Sequence, residues 1–460
     1  MGAKRAFATQ DTFITERSLT SNLGSSPILE VYNLFDSAKL RKEFARILIK
    51  FNLSALTADI VSGDLVDPRT DTTVSAYLYM FNCKHGDEQA TSFNINIHPL
   101  TQEWTEGRGL DADNLSETGF ANAVTAQSGI AWTTTGGTYV VDSFSATQAF
   151  DHGEEDLKVT VTNMFNNWLN GYTGNFGFIL KMTDTQELKT GAGSADSIYT
   201  KKFYARETNT RKAPYIQLEW DDSIRDDRNS VAFNSTAQLW FFNIVNGQLQ
   251  DLNTTGAFPG NITLSGLTSA TQTTGISAIK TALTAARHSK GIYKCNIGTF
   301  PLTANTYSVF KDKWFISASP TANYSFTFTA VDPASAFDEY KSSTYRVTLK
   351  NMRNQYEKNT KTRIRIHIKD DSLTYTALTA ATTAISNFIC TDGKIEIREV
   401  DTDDVEIPAS KLSYDKSGNF WELDTSLLYS NVQYHPVIKF TIRGETFYLK
   451  DPDKYSFKIV

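Results

Sequence analysis

Asp156-Leu-Lys-Val-Thr-Val-Thr-Asn-Met-Phe-Asn-Asn-Trp-Leu-Asn-Gly-Tyr-Thr-Gly-Asn-Phe-Gly-Phe-Ile-Leu-Lys-Met182 changes its periodicity twice. Leu157, Val159 and Val161 alternate with polar residues, the period-2 pattern of a half-buried strand. Met164, Phe165, Trp168 and Leu169 then fall at helical spacing for about one and a half turns. Asn170-Gly171 and Thr173-Gly174 supply residues that tolerate positive φ and stop the helix, and Phe176, Phe178 and Leu180 resume the alternation. The stretch predicts strand, short helix, turn, strand. It offers packing and turn residues and no catalytic group, so a domain built on it binds or builds.

Outward from this stretch, the chain of 460 residues exceeds one ordinary core and predicts three domains at roughly 150 residues each. Aromatic residues make up 12% of it, Ser and Thr are abundant, and helix-period segments are scarce, which predicts an all-β protein. A net charge of −6 with dispersed Lys and Arg gives no nucleic-acid footprint. Cys83, Cys295 and Cys390 are odd in number and far apart, which indicates neither a disulfide framework nor a Cys-x-x-Cys metal site and points to a reducing compartment. The first residues carry positive charge without an apolar run, and no segment approaches the roughly 18 apolar residues of a membrane span, so neither a cleaved leader nor membrane insertion is expected.

Residues 1–27 are polar and turn-rich and read as an arm or edge segment of the kind that contacts neighbours. Residues 28–222 read as a sandwich. Arg46-Ile-Leu-Ile-Lys-Phe-Asn-Leu53 is a dense apolar strand, Ser75 to Asn82 alternates its large residues, and Phe93, Ile95 and Ile97 repeat the pattern up to Pro99. The loop Glu103-Trp-Thr-Glu-Gly-Arg-Gly-Leu-Asp-Ala-Asp-Asn114, with Trp132 and Gly136-Gly137 beyond it, caps one end. Asp111, Asp113 and Asn114 are hard oxygen ligands suited to calcium, and Trp104 and Trp132 are flat rings suited to stacking on a sugar. The competing reading has the acids solvated and the tryptophans plugging the sandwich. Glu103, Glu106, Asp111 and Asp113 are also the best carboxylate candidates for glycoside hydrolysis, which needs two acids about 5 to 10 Å apart.

These residues together resemble a known module. The Arg46–Leu53 strand, the Ser75–Tyr79 strand, the Trp104-Thr-Glu-Gly107 turn, the 156–182 stretch and the closing Arg211-Lys-Ala-Pro-Tyr-Ile-Gln-Leu218 strand follow in the order of the DNRLRE domain. That domain is a jelly roll related to carbohydrate-binding modules. With Trp132 before Gly136-Gly137 and Lys201-Lys-Phe-Tyr-Ala-Arg206, this version is similar to structural proteins of tailed bacteriophages, especially the contractile-tailed marine kind. The resemblance implies a jelly roll and a non-enzymatic virion role at the neck, collar, tail or baseplate. It further implies other virion proteins as partners, a symmetric homo-oligomer, synthesis in the host cytoplasm and no cofactor beyond a possible calcium. A glycan-binding host-attachment or head-decoration module is the alternative.

Asp221 to Asn229 is a mixed charge cluster that reads as a linker. Residues 223–330 then show short strands around the hairpin signal Asn246-Gly247, with Ile276 to Ala286 as a helix-like interlude, and predict an immunoglobulin-like sandwich. A boundary at Val331-Asp-Pro-Ala-Ser335 opens a carboxy-terminal sandwich, 331–460, which resembles the end of the same phage proteins in its aromatic turn Ser413 to Phe420. In Thr362-Arg-Ile-Arg-Ile-His-Ile368 the isoleucines point inward, and Arg363, Arg365, His367 and Lys369 point outward as a basic face. The six histidines lack metal-ligand spacing, the Gly-x-Ser-x-Gly and phosphate-loop motifs are absent, and His152-Gly-Glu-Glu155 has no second histidine, so no enzyme is expected.

Overall fold

The computed structural model describes residues 2–36, 41–85, 90–110, 119–141, 144–187, 198–229, 231–252, 261–269, 272, 276–307, 309–315, 324–330, 345–370, 389–442 and 444–460. About 52% of the chain is strand and 9% helix, packed as β-sandwiches, so the protein is all-β. No helix of the described residues is long and apolar enough to cross a membrane. The chain forms two compact units, divided after Trp220.

The amino-terminal unit is built on the strand Gly2–Thr15. Its first half pairs antiparallel with Tyr215–Trp220, and after an irregularity between Ala8 and Gln10 its second half pairs with the strand Arg41–Phe51. One strand therefore belongs to both sheets of the sandwich. This corrects the expectation of an arm or edge segment over residues 1–27, since Gly2–Thr15 is paired with a strand of each sheet. The polar composition misleads because Asp11, Thr12 and Thr15 are themselves buried, at no more than 1% exposure, and hydrogen-bonded inside the unit. One sheet continues from Tyr215–Trp220 through Ser75–Met80 to Leu157–Thr160. The other runs from Arg41–Phe51 through Phe178–Met182 and Phe93–Pro99 to Ala146–Phe150, with Ile28–Asp36 and Tyr199–Tyr204 joined at its side.

The 156–182 stretch folds as its periodicity predicts: a strand at Leu157–Thr160, a helix at Thr162–Leu169 and a strand at Phe178–Met182. Met164, Phe165 and Trp168 face the main core, where Trp168 packs on Phe178 at 4.7 Å between ring centroids. A second helix, Ser54–Ser62, follows Leu53; with only Leu56 and Ile60 buried, it is too weakly patterned to stand out in the sequence. The Arg41–Phe51 strand is dense in apolar residues because both its faces are covered. Ile47, Ile49 and Phe51 enter the main core, whereas Leu48 joins Ile14, Ile179, Leu100, Trp104 and Trp132 in a smaller core on the opposite face of the sheet.

The carboxy-terminal unit holds two sandwich cores. The first gathers Val231, Phe233, Leu239, Phe241, Phe300, Phe310 and Trp314 between a three-stranded and a four-stranded sheet. Asn246 and Gly247 both take positive φ, as a two-residue turn requires, and join the short strands Ile244–Val245 and Gln248–Leu249. The helix-like interlude is instead two strands, Ser277–Leu283 and Ala285–Ser289. Its small residues suit either structure, and sheet pairing decides between them. In the second core Ile364, Ile366 and Ile368 are buried as predicted, together with Ile395, Ile397, Ile438 and Phe440. Ile224, Trp240, Ile292 and Phe420 bind the two cores into one unit, and the boundary proposed at 331–335 lies outside the described residues.

The linker reading of Asp221–Asn229 fails on burial. Arg228 donates to Asp226 at 2.5 Å, to Asp312 at 2.7 Å and to the Trp240 carbonyl at 2.7 Å, and all three charged residues are at most 7% exposed. On the predicted basic face, Arg363 pairs with Glu422 at 2.7 Å and Arg365 with Asp415 at 2.7 Å, and both guanidinium groups lie over the Phe420 ring. That face is an ion-paired sheet surface.

Candidate functional site around the Trp104 loop

The loop that follows Pro99 is held against the unit by backbone and amide hydrogen bonds. Thr105 donates its backbone N–H to the Ala126 carbonyl and accepts from the Ala121 N–H, and the buried Asn22 side chain donates to the Glu106 and Ala121 carbonyls at 2.6 and 2.8 Å. Asn22 Oδ1 accepts from the backbone N–H groups of Gly24 and Gly109. Gly107 sits at φ +89°, and a Cβ on Gly109 would lie 1.7 Å from the Asn22 carbonyl oxygen. The glycines of the loop are there because Asn22 comes this close.

Burial decides the role of the tryptophans. Trp104 is 1% exposed and donates its indole N–H to the Phe176 carbonyl at 2.8 Å; Trp132 is 5% exposed and donates to the Asn122 carbonyl at 2.8 Å. With both faces covered and both donors used, neither ring stacks on a sugar, which corrects their assignment as glycan platforms. They fill the small core instead. The calcium ligands expected at Asp111, Asp113 and Asn114 lie outside the described residues.

The carboxylates divide. Glu103 is half-exposed and pairs with Lys50 at 2.5 Å. Glu106 points inward and meets a group that the sequence did not assemble. The backbone N–H of Asp11 donates to Glu106 at 2.7 Å, and Arg206 donates to both Glu106 oxygens at 3.0 and 2.9 Å. Arg206 also pairs with Glu207 at 2.5 Å, and its backbone N–H donates to Asp11 Oδ2 at 2.8 Å. One oxygen from each of Asp11, Glu106 and Glu207 lies within 4.8 Å of the others. Burial pushes the Asp11 carboxyl well above its usual range, against the Arg206 N–H, and the neighbouring Glu207 and Glu106 carboxylates add to the rise. Glu106 is raised as well, again by burial first.

A buried lysine lies elsewhere in the same unit. Lys201, 1% exposed, donates to Asn82 Oδ1, the Gly153 carbonyl and the Glu155 carbonyl at 2.7 to 2.8 Å, and burial pulls its pKa down to about 8. Alternation from the core residue Phe203 signals that Lys201 points inward. Glu155 accepts from the backbone of Asp151 and His152 and staples the turn that carries His152. An open groove of about 500 Å³ is lined by Gln10, Lys50, Asn52, Leu53, Trp168 and Asn175.

No family model and no curated protein matches the chain. Among solved structures it is matched with the titin domains Z1Z2 in complex with telethonin, at 9% identity and a TM-score of 0.15, over 50% of this chain and 89% of that one. A chimeric titin Z1Z2 carrying a decorin KLER peptide gives 10% identity and a TM-score of 0.16, over 50% and 90%. Similarity this low carries no argument about fold detail or function.

Proposed function

We propose that the protein is a non-enzymatic structural component of a tailed-phage particle that acts through protein–protein contacts. The family resemblance supplies the setting, and one observation supports the mode of action. The ribbon Ile244–Val245 and Gln248–Leu249 is a sheet of its own, and Ile244, Val245 and Leu249 are 62%, 40% and 37% exposed. An unpaired apolar strand pair without Lys or Pro to blunt it is a template for pairing with another chain. The edge strand Tyr324–Phe328 exposes Tyr324 and Phe326 in the same unit. Copies arranged around a symmetry axis multiply such modest contacts into stable assembly.

The test follows incorporation. Wild-type chain is expected in particles purified from a phage-producing culture, by mass spectrometry and cryo-electron microscopy. The Ile244→Asp/Leu249→Asp chain is expected to stay folded but outside them. Absence of the wild-type chain, or equal incorporation of the variant, rejects the reading.

The groove beside Trp168 favours a second reading, glycan binding for host attachment or head decoration. Lys50, Asn52 and Asn175 offer the charged and amide groups that hydroxyls recognise. Sugar binding on a glycan array that is lost in Asn175→Ala supports it, and an array without signal removes it.

A further inference from the structure

The cluster on the strand Gly2–Thr15 carries more negative charge than its cation neutralises. Asp11, Glu106 and Glu207 bring three negative charges against the single positive charge of Arg206, which leaves two negative charges in a largely buried space. Asp11 is 1% exposed and its Oδ1 has no hydrogen-bond partner, although Oδ2 is engaged by the Arg206 N–H. Glu207 Oε2 is likewise buried and unpartnered while its Oε1 is held by Arg206. A carboxylate oxygen in such a place is unfavourable unless something positive meets it. Acceptors cannot satisfy one another, so a proton or a metal ion belongs between them.

We infer that Asp11, Glu106 and Glu207 form a binding site for a hard divalent cation of the calcium class, fixed in the amino-terminal sandwich where its first strand joins the two sheets. Three carboxylates and no nitrogen or sulfur ligand select an oxygen-seeking ion. A divalent charge cancels the local excess of two, whereas one shared proton cancels half of it. Calcium fits better than magnesium because a buried, crowded set of carboxylates leaves little room for the waters that magnesium retains. Arg206 does not compete for the position: its bonds run to Glu106 and to Glu207 Oε1, and so orient the two side chains that the ion would bridge. The ligands come from positions 11, 106 and 207, so an ion here would pin three distant segments together.

The experiment uses the full chain, stripped with chelator and desalted. Wild-type protein is expected to take up stoichiometric calcium when it is added back and the excess desalted away, by elemental analysis, to bind calcium more tightly than magnesium by titration calorimetry, and to melt several degrees higher with calcium than with chelator. Glu207→Gln, at a partly exposed position, is expected to weaken calcium binding roughly tenfold or more. Asp111→Asn/Asp113→Asn is expected to leave it unchanged. The inference is overturned if wild-type protein binds no divalent ion and melts identically with chelator, the result of a shared proton. It is overturned equally if binding disappears in the Asp111/Asp113 variant and persists in Glu207→Gln. Should Glu207→Gln fail to give the wild-type circular dichroism spectrum, the wild-type and Asp111/Asp113 metal counts still decide.

Discussion

Two buried charge centres in the amino-terminal unit solve the same problem differently. Around Glu187, whose side chain is fully enclosed, Arg46 donates to one oxygen at 2.8 Å and to the other at 2.6 Å, and Lys181 approaches at 3.1 Å. Lys181 also pairs with Asp184, and Arg46 donates to the Gly136 carbonyl and lies over the Phe44 ring. Charges there cancel, and both Glu187 oxygens are used. Around Asp11 the acids outnumber the cation, and two oxygens are left over. The first centre is neutral and satisfied within the chain, whereas the second carries an excess of negative charge, which is the basis of the proposed cation site.

The largest expected effect breaks the balanced centre. Glu187→Gln leaves Arg46 buried without its counter-charge and Lys181 with Asp184 alone, and should cost about 3–5 kcal/mol in a urea unfolding titration. A loss under about 1 kcal/mol would mean that the two centres do not differ in the way charge counting says. Next comes the centre in the other unit, where two acids share Arg228. Burial, with the Asp312 carboxylate nearby, pushes Asp226 up to about 6 despite Arg228. A folded pKa above the unfolded one means that the native state holds the proton more tightly. The contribution to stability is therefore full below about pH 4 and is lost as pH rises through 6, by about 2–3 kcal/mol. Asp226→Asn should flatten that slope in melts recorded from pH 4 to 7, and an unchanged slope would assign it elsewhere.

Asp11→Asn should act in the opposite sense to Glu187→Gln. In chelator at pH 7 it removes a repelling buried charge and should stabilise the unit by about 1 kcal/mol. A large loss under those conditions would show that the acidic centre is as self-sufficient as the balanced one. The smallest effect belongs to the surface. Arg363→Ala, which removes a half-exposed pair with Glu422 and a stacking contact on Phe420, should cost about 1 kcal/mol or less.

Legibility in the sequence followed the range of the interaction. The strand, helix and strand of 156–182, the hairpin at Asn246-Gly247 and the inward isoleucines of 362–368 were readable, because alternation, helical spacing and turn chemistry are local. The acidic centre was half-readable: Glu106 stood out beside Trp104, but Asp11 lay in what looked like an arm, and Arg206-Glu207 carries no local pattern that marks it. The charge run at 221–229 misled for the same reason. A charged residue reads as solvated unless its partner is known, and Asp312 lies far along the chain from Arg228.

By itself the sequence determined that this protein is built from strands, where many of them lie and which of their faces are apolar, since backbone geometry fixes the side-chain period wherever a strand forms. Only the tertiary structure decided what covers each face and what neutralises each charge. Trp104 became a core residue because residues 100–110 and 119–140 fold over the outer face of a sheet, and its environment comes from Ile14, Leu48 and Ile179. Asp11 became part of an acidic centre because a bend in the first strand brings it against residues about 100 and 200 positions away. Burial and charge compensation are sums over neighbours in space, and pairing between distant strands sets those neighbours.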